Sequence, residues 1–87
     1  MPIGIGCVVK ATAGRDADGF YVVCGIENGF VLLADGKRRK LEKPKKKNVK
    51  HVRKTNMQLD LNVITTDKGL RRALSPLNVN EGGNQLV

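Results

Sequence analysis

Tryptophan is absent from this 87-residue chain, and the aromatic residues are confined to Phe20, Tyr21 and Phe30. Proteins that hold single-stranded nucleic acid usually join positive charge to several exposed rings on which bases stack. Three rings, each alternating with core positions and read here as core, leave little for such a platform. Histidine occurs once, at His51, and serine once, at Ser75 beside Pro76. A Ser-His-Asp or Cys-His site would have to be built on those two residues, so no catalytic residue is assigned and no enzyme is expected. The two cysteines, Cys7 and Cys24, are not arranged in close pairs, and a structural metal site needs such pairs. Both are read as small buried hydrophobes in a reducing compartment. Gly4-Ile5-Gly6 lacks the third glycine and following helix of a dinucleotide loop. No apolar run reaches the eighteen residues of a membrane span, and no basic-then-apolar leader opens the chain. A cytoplasmic protein with no cofactor, no metal, no membrane partner and no small-molecule substrate is the expectation.

What the chain does have is base, concentrated in one place. Eleven of the sixteen Lys and Arg residues fall within residues 37–54, where Glu42 is the sole acid. The other sixty-nine residues carry five bases and seven acids. The charge is interleaved with Leu41, Val49 and Val52 instead of forming a separate tail. A basic stripe built into a fold suits a polyphosphate partner, because each phosphate contacted releases condensed counterions. A lysine-rich run also serves as a plain solubilising face, but such faces normally mix the two signs.

Eighty-seven residues make one small domain, near the lower limit at which a chain folds alone. Ile5, Cys7, Val9 and Ala11 alternate with Gly6, Val8 and Lys10, the period of a half-buried strand. Residues 13–19 are dense in turn formers. Residues 20–27 read as a second strand, Asn28-Gly29 as a tight hairpin turn, residues 30–34 as the returning strand, and Asp35-Gly36 as another turn. Residues 37–43 are expected to pair as a fourth strand, broken by Pro44, with Lys45-Lys46-Lys47 a solvated loop. Residues 48–55 are compatible with a fifth strand. Short sequential strands of this kind suggest a small antiparallel barrel over residues 3–56. Leu59, Leu61 and Val63 alternate with polar residues and predict an extended piece packed along it. Thr65-Thr66-Asp67 then offers capping oxygens to a short helix over residues 68–74, with Leu70 and Leu74 docked, Arg71 and Arg72 pointing outward, and Pro76 ending it. The extended piece and helix span residues 57–77, and residues 78–87 read as a flexible tail.

Gly6-Cys7-Val8-Val9, Ala13-Gly14-Arg15-Asp16 and Phe20-Tyr21-Val22-Val23 together resemble a KOW motif. The run from Ala34-Asp35-Gly36-Lys37-Arg38-Arg39-Lys40 to Leu41-Glu42-Lys43-Pro44-Lys45 is similar to that of small bacterial KOW-domain RNA-binding proteins, relatives of KOW-containing large-subunit ribosomal proteins. The similarity extends weakly through Thr66-Asp67 and residues 70–74 and covers roughly residues 4–75. It implies an SH3-like barrel that binds structured RNA, with ribosomal RNA as target and a place in translation, possible ribosome association included. The family pattern puts a second turn glycine at position 18, where this chain has Asp18 followed by Gly19. The expected accommodation is a shift of the left-handed residue by one, aspartate being more tolerant of that geometry than most residues.

The residues expected to contact RNA are Arg15, Lys37, Arg38, Arg39, Lys40, Lys45, Lys46, Lys47, Lys50 and Arg53. Arginine's planar fork suits bidentate phosphate contact, and lysine acts as a mobile point charge. With few aromatics to stack, recognition would run through phosphates, 2′-hydroxyls and shape. A monomer is expected. The alternatives are a protein-interaction module docking on an acidic surface of the transcription or translation machinery, and non-specific coating of nucleic acid.

Overall fold

Alternating apolar residues and tight turns build five antiparallel strands, followed by one helix. The computed structural model describes residues 3–14 and 17–82, without the side chains of 79–82. The strands are β1 (Cys7–Ala11), β2 (Phe20–Glu27), β3 (Phe30–Ala34), β4 (Lys45–Asn48) and β5 (Val52–Gln58), and the helix is α1 (Asp67–Gly82). They form one sheet in the order β4-β3-β2-β1-β5. The Asn28-Gly29 turn joins β2 to β3, with both residues at positive φ as the tight hairpin requires. In the β1–β2 loop the left-handed residue does not shift to Gly19: Asp18 itself adopts φ 69°.

Because side chains alternate across a strand, this sheet has two apolar faces and both are covered. One face presents Cys7, Val9, Ala11, Tyr21, Val23, Val31 and Leu33, packed with Ile3 and Val52 and all but sealed from water. Apart from Ile3, that core is made of strand residues alone, so the sheet folds over onto itself. The β4–β5 connection requires the same curvature. In a flat sheet these two edge strands would lie about 19 Å apart, four spacings of about 4.8 Å. The link from Asn48 to Val52 spans at most about 14 Å even when extended, and here it is coiled into a three-residue 3-10 turn over Val49–His51. In that turn Val49 N–H donates to Gly29 O at 3.0 Å and His51 O accepts from Thr12 N–H at 2.8 Å, tying the β2–β3 hairpin to the end of β1. The sheet is strongly curled, yet β4 and β5 are not paired with each other and it is not closed.

The other face presents Val8, Val22 and Ala34, capped by Leu70 and Leu74 of α1. Leu41, Met57, Leu59, Leu61, Ile64 and Leu77 close its margins. Full burial of each helix leucine contributes about 1.5–3 kcal/mol. β1 is therefore buried on both sides, where alternation alone implied one wet face.

Four elements differ from the sequence expectation. The fifth strand, expected over residues 48–55, runs over Val52–Gln58, because Asn48 ends β4 and its side chain caps the 3-10 turn over Val49–His51. The segment 59–63 is not extended throughout: Asp60 O accepts from the N–H groups of Val63 and Ile64, a turn that leaves Val63 exposed while Leu59, Leu61 and Ile64 pack inward. Residues 37–43 are a turn and Lys45–Asn48 the strand, for reasons given below. The helix starts where the caps predict, with Thr66 Oγ1 accepting from Gly69 N–H at 3.0 Å, but it continues through Pro76 to Gly82. Contacts beyond the proline hold it there. Asn78 Oδ1 accepts from Phe20 N–H at 3.0 Å, and Leu77 joins the second core. Residues 78–82 are thus helical, and the remainder of the predicted tail lies outside the described residues. Proline inside a helix removes one hydrogen bond and crowds the preceding turn. Pro76→Ala should therefore raise stability by about 1–2 kcal/mol, read from the thermal midpoint; a lowered midpoint would mean that the ring's rigidity outweighs the lost bond.

Candidate nucleic-acid interface

The basic stripe is divided by the fold into a turn and an edge. The turn runs from Asp35 to Pro44, and its backbone N–H groups explain why it is not a strand. Asp35 Oδ1 accepts from Lys37 N–H and Arg39 N–H, both at 2.9 Å. The N–H groups of Asp35 and Gly36 donate to Arg39 O, and Lys43 N–H donates to Lys40 O. Leu41 N–H donates to Asp67 Oδ1 at 2.8 Å, on the first turn of α1. Six donors are thereby committed within the turn or to the helix, leaving none of them for a β-ladder.

The turn is clamped onto α1 at both ends. Besides the Leu41–Asp67 bond, Arg71 Nη1 donates to Gly36 O at 2.9 Å. Gly36, at φ 80°, lies so close that a Cβ there would run into the backbone of Asp67. Lys37, Arg38 and Lys40 are exposed, and none forms an ion pair with a described residue. Asp35 and Asp67, at the turn's start and on the helix beside it, have given an oxygen each to backbone N–H groups. Arg39 departs from its neighbours: it is half-buried, and its backbone closes the turn. Leu41 is also half-buried, against the second core.

The edge is β4 with the 3-10 turn and β5. Lys45 and Lys46 are exposed on β4, and Lys47 is half-buried with its ammonium beside Gly14 in the β1–β2 loop. Lys46 lies 3.4 Å from Glu27 and 5.0 Å from the centre of the Phe30 ring. Phe30 is correspondingly 36% exposed and is not the core residue the sequence suggested. Lys50 sits on the 3-10 turn, and Arg53 on β5 lies opposite Lys10 of β1, a like-charge pair that disfavours the sheet unless an anion lies over it. Lys10 in turn is 3.9 Å from Asp18 and 5.7 Å from the Phe20 ring. Ion pairs this exposed contribute little to stability. Arg15 lies outside the described residues.

The structure adds cations that the sequence reading left out. Lys68, Arg71 and Arg72, at helical spacings of three and four, line a shallow open depression with Ser75 directly beside the turn. Their spacing was readable; their neighbourhood to residues 37–40 was not. Lys54, exposed on β5, extends the edge. Taken together, Lys37, Arg38, Lys40, Lys43, Lys45, Lys50, Arg53, Lys54, Lys68, Arg71 and Arg72 are exposed without an ion pair to any described residue.

Cys7 and Cys24 are both free thiols, and partial burial pushes the Cys24 pKa upward, which disfavours its reactive thiolate. Among the described residues no three His, Cys, Asp or Glu side chains converge as metal ligands, and no helix is long and apolar enough to cross a membrane. No protein-family model matches the chain, and no curated protein matches it significantly.

Proposed function

We propose that the chain is a KOW-type, SH3-like barrel that binds structured RNA without catalysing a reaction. One observation supports this reading above the rest: eleven exposed cations without an ion pair to any described residue, drawn from a turn, a sheet edge and a helix of one small domain. A solubilising surface would intersperse acids among them. Strong sheet curvature and the 3-10 link between β4 and β5 favour the SH3-like assignment. The scarcity of rings favours phosphates and 2′-hydroxyls over base stacking, and hence folded RNA over single strands. Ribosomal RNA in the cytoplasm is the target we assign, on the resemblance to ribosomal relatives, with the protein acting as a monomer that binds and positions.

Sedimentation of a cell lysate with and without RNase tests this reading. Comigration with the large ribosomal subunit, lost on RNase treatment, is expected. A partner retained after digestion would instead identify a protein-docking module. With purified RNA, five phosphate contacts would give a plot of log affinity against log salt a slope of about −4 to −5. A slope near zero would remove the phosphate backbone from the interface.

A further inference from the structure

Resting on the RNA-binding reading, we infer that the domain has two separate RNA-binding faces and bridges two RNA helices. The two faces follow from strand register. Residues opposite each other on neighbouring strands point to the same side. Lys45 and Lys47 are paired with Leu33 and Val31, and Lys54 with Val9. Leu33, Val31 and Val9 all belong to the core formed where the sheet folds over itself. These lysines therefore lie on that side, at the two open edges. The turn and α1 cover the opposite side, over Val8, Val22 and Ala34. Arg38, Lys68 and Arg72 are exposed there, next to the Arg71–Gly36 hydrogen bond that fixes turn and helix together.

A core layer and the sheet separate the two sets, and the narrowest dimension of the molecule is 23 Å. A rigid A-form duplex presents its phosphates along its own surface and does not wrap a body of that thickness. One duplex can satisfy one set, which leaves the other available to a second. Asp35 and Asp67 lend an oxygen each to backbone N–H groups, and Lys45, Lys54, Lys68 and Arg72 have no acidic partner among the described residues.

The test uses the full chain and two short RNA duplexes of about 20 base pairs, one carrying a donor dye and the other an acceptor. The native protein is expected to bring the two duplexes together, with two duplexes per chain by analytical ultracentrifugation. Lys68→Glu/Arg72→Glu should reduce the proximity signal by about tenfold or more and lower the count from two duplexes per chain to one. Both side chains are exposed, and a glutamate at position 68 sits in the first helical turn, where negative charge is favoured, so the variant should fold. Lys45→Glu/Lys54→Glu, on the other side, should show the same pattern. A single duplex per chain, a proximity signal that survives Lys68→Glu/Arg72→Glu, or bridging that requires a protein dimer would each overturn the inference and leave RNA binding standing. Failure of the native protein to bind either duplex would overturn both.

Discussion

Replacing Lys37, Arg38 and Lys40 together by glutamate should lower the affinity of the turn-and-helix face for structured RNA about a hundredfold at physiological salt, read in a Lys45→Glu/Lys54→Glu background so that the other face does not mask the loss. The same variant should flatten the salt dependence by about three units of slope, one for each phosphate contact removed. The fold should be unaffected, because the three side chains are exposed and form no ion pair with a described residue. Arg39 is left in place on purpose. Its half-buried side chain and its carbonyl, which takes two N–H donors, belong to the turn's own structure. Changing it would confuse loss of contact with loss of shape. Affinity measured at several salt concentrations, beside a thermal melt, separates the two. An intact melt with unaltered affinity would exclude the turn from the interface.

Gly36→Ala should destabilise the domain by about 3 kcal/mol, a fall of roughly 12–24 °C in the melting midpoint of a chain this size. Two costs combine at this position. The φ of 80° is unfavourable for any residue with a Cβ, and that Cβ would meet the backbone of Asp67 at the start of α1. Gly29 supplies the comparison, having a similar φ of 84° but open space around it. Gly29→Ala should cost only the backbone term, about 1 kcal/mol. The difference between the two variants therefore measures how firmly the basic turn is seated on the helix. Equal losses would mean that the turn does not rest there. Because Arg71 and Asp67 hold the same turn, Gly36→Ala should also weaken RNA binding at temperatures where the domain remains folded.

The first half of the molecule was legible because its signals are local. The bounds of β2 and β3 follow from apolar alternation and from Asn28-Gly29, and a tight turn fixes register within a few residues. Leu70 and Leu74 were identifiable as a docked stripe from their one-turn spacing. The basic segment was misassigned because lysine carries little periodic information: it occupies an edge strand or a loop with equal ease. What decides between them is the bond from Leu41 to Asp67, twenty-six residues away, together with the bond from Arg71 to Gly36. No local reading of residues 37–47 contains those partners. The extension of α1 past Pro76 has the same origin, since it depends on Asn78 reaching Phe20 fifty-eight positions back. For the interface, composition showed that it is cationic. The distribution of those cations over both sides of the sheet became visible only with strand register and the docked helix.

The open sheet leaves β4 as an edge strand whose first three residues are all lysine. An unpaired edge is a template onto which another chain can add its own strand, the first step toward aggregation. Lysine along such an edge makes that addition unfavourable, and Lys45 is exposed there with no ion pair to a described residue. The lysines thus guard the protein against itself. A bound polyanion would screen that charge, so crowding on RNA is the condition under which the guard is weakest. Acetylation along β4 would remove it with no RNA present, turning a modification of charge into one of colloidal stability.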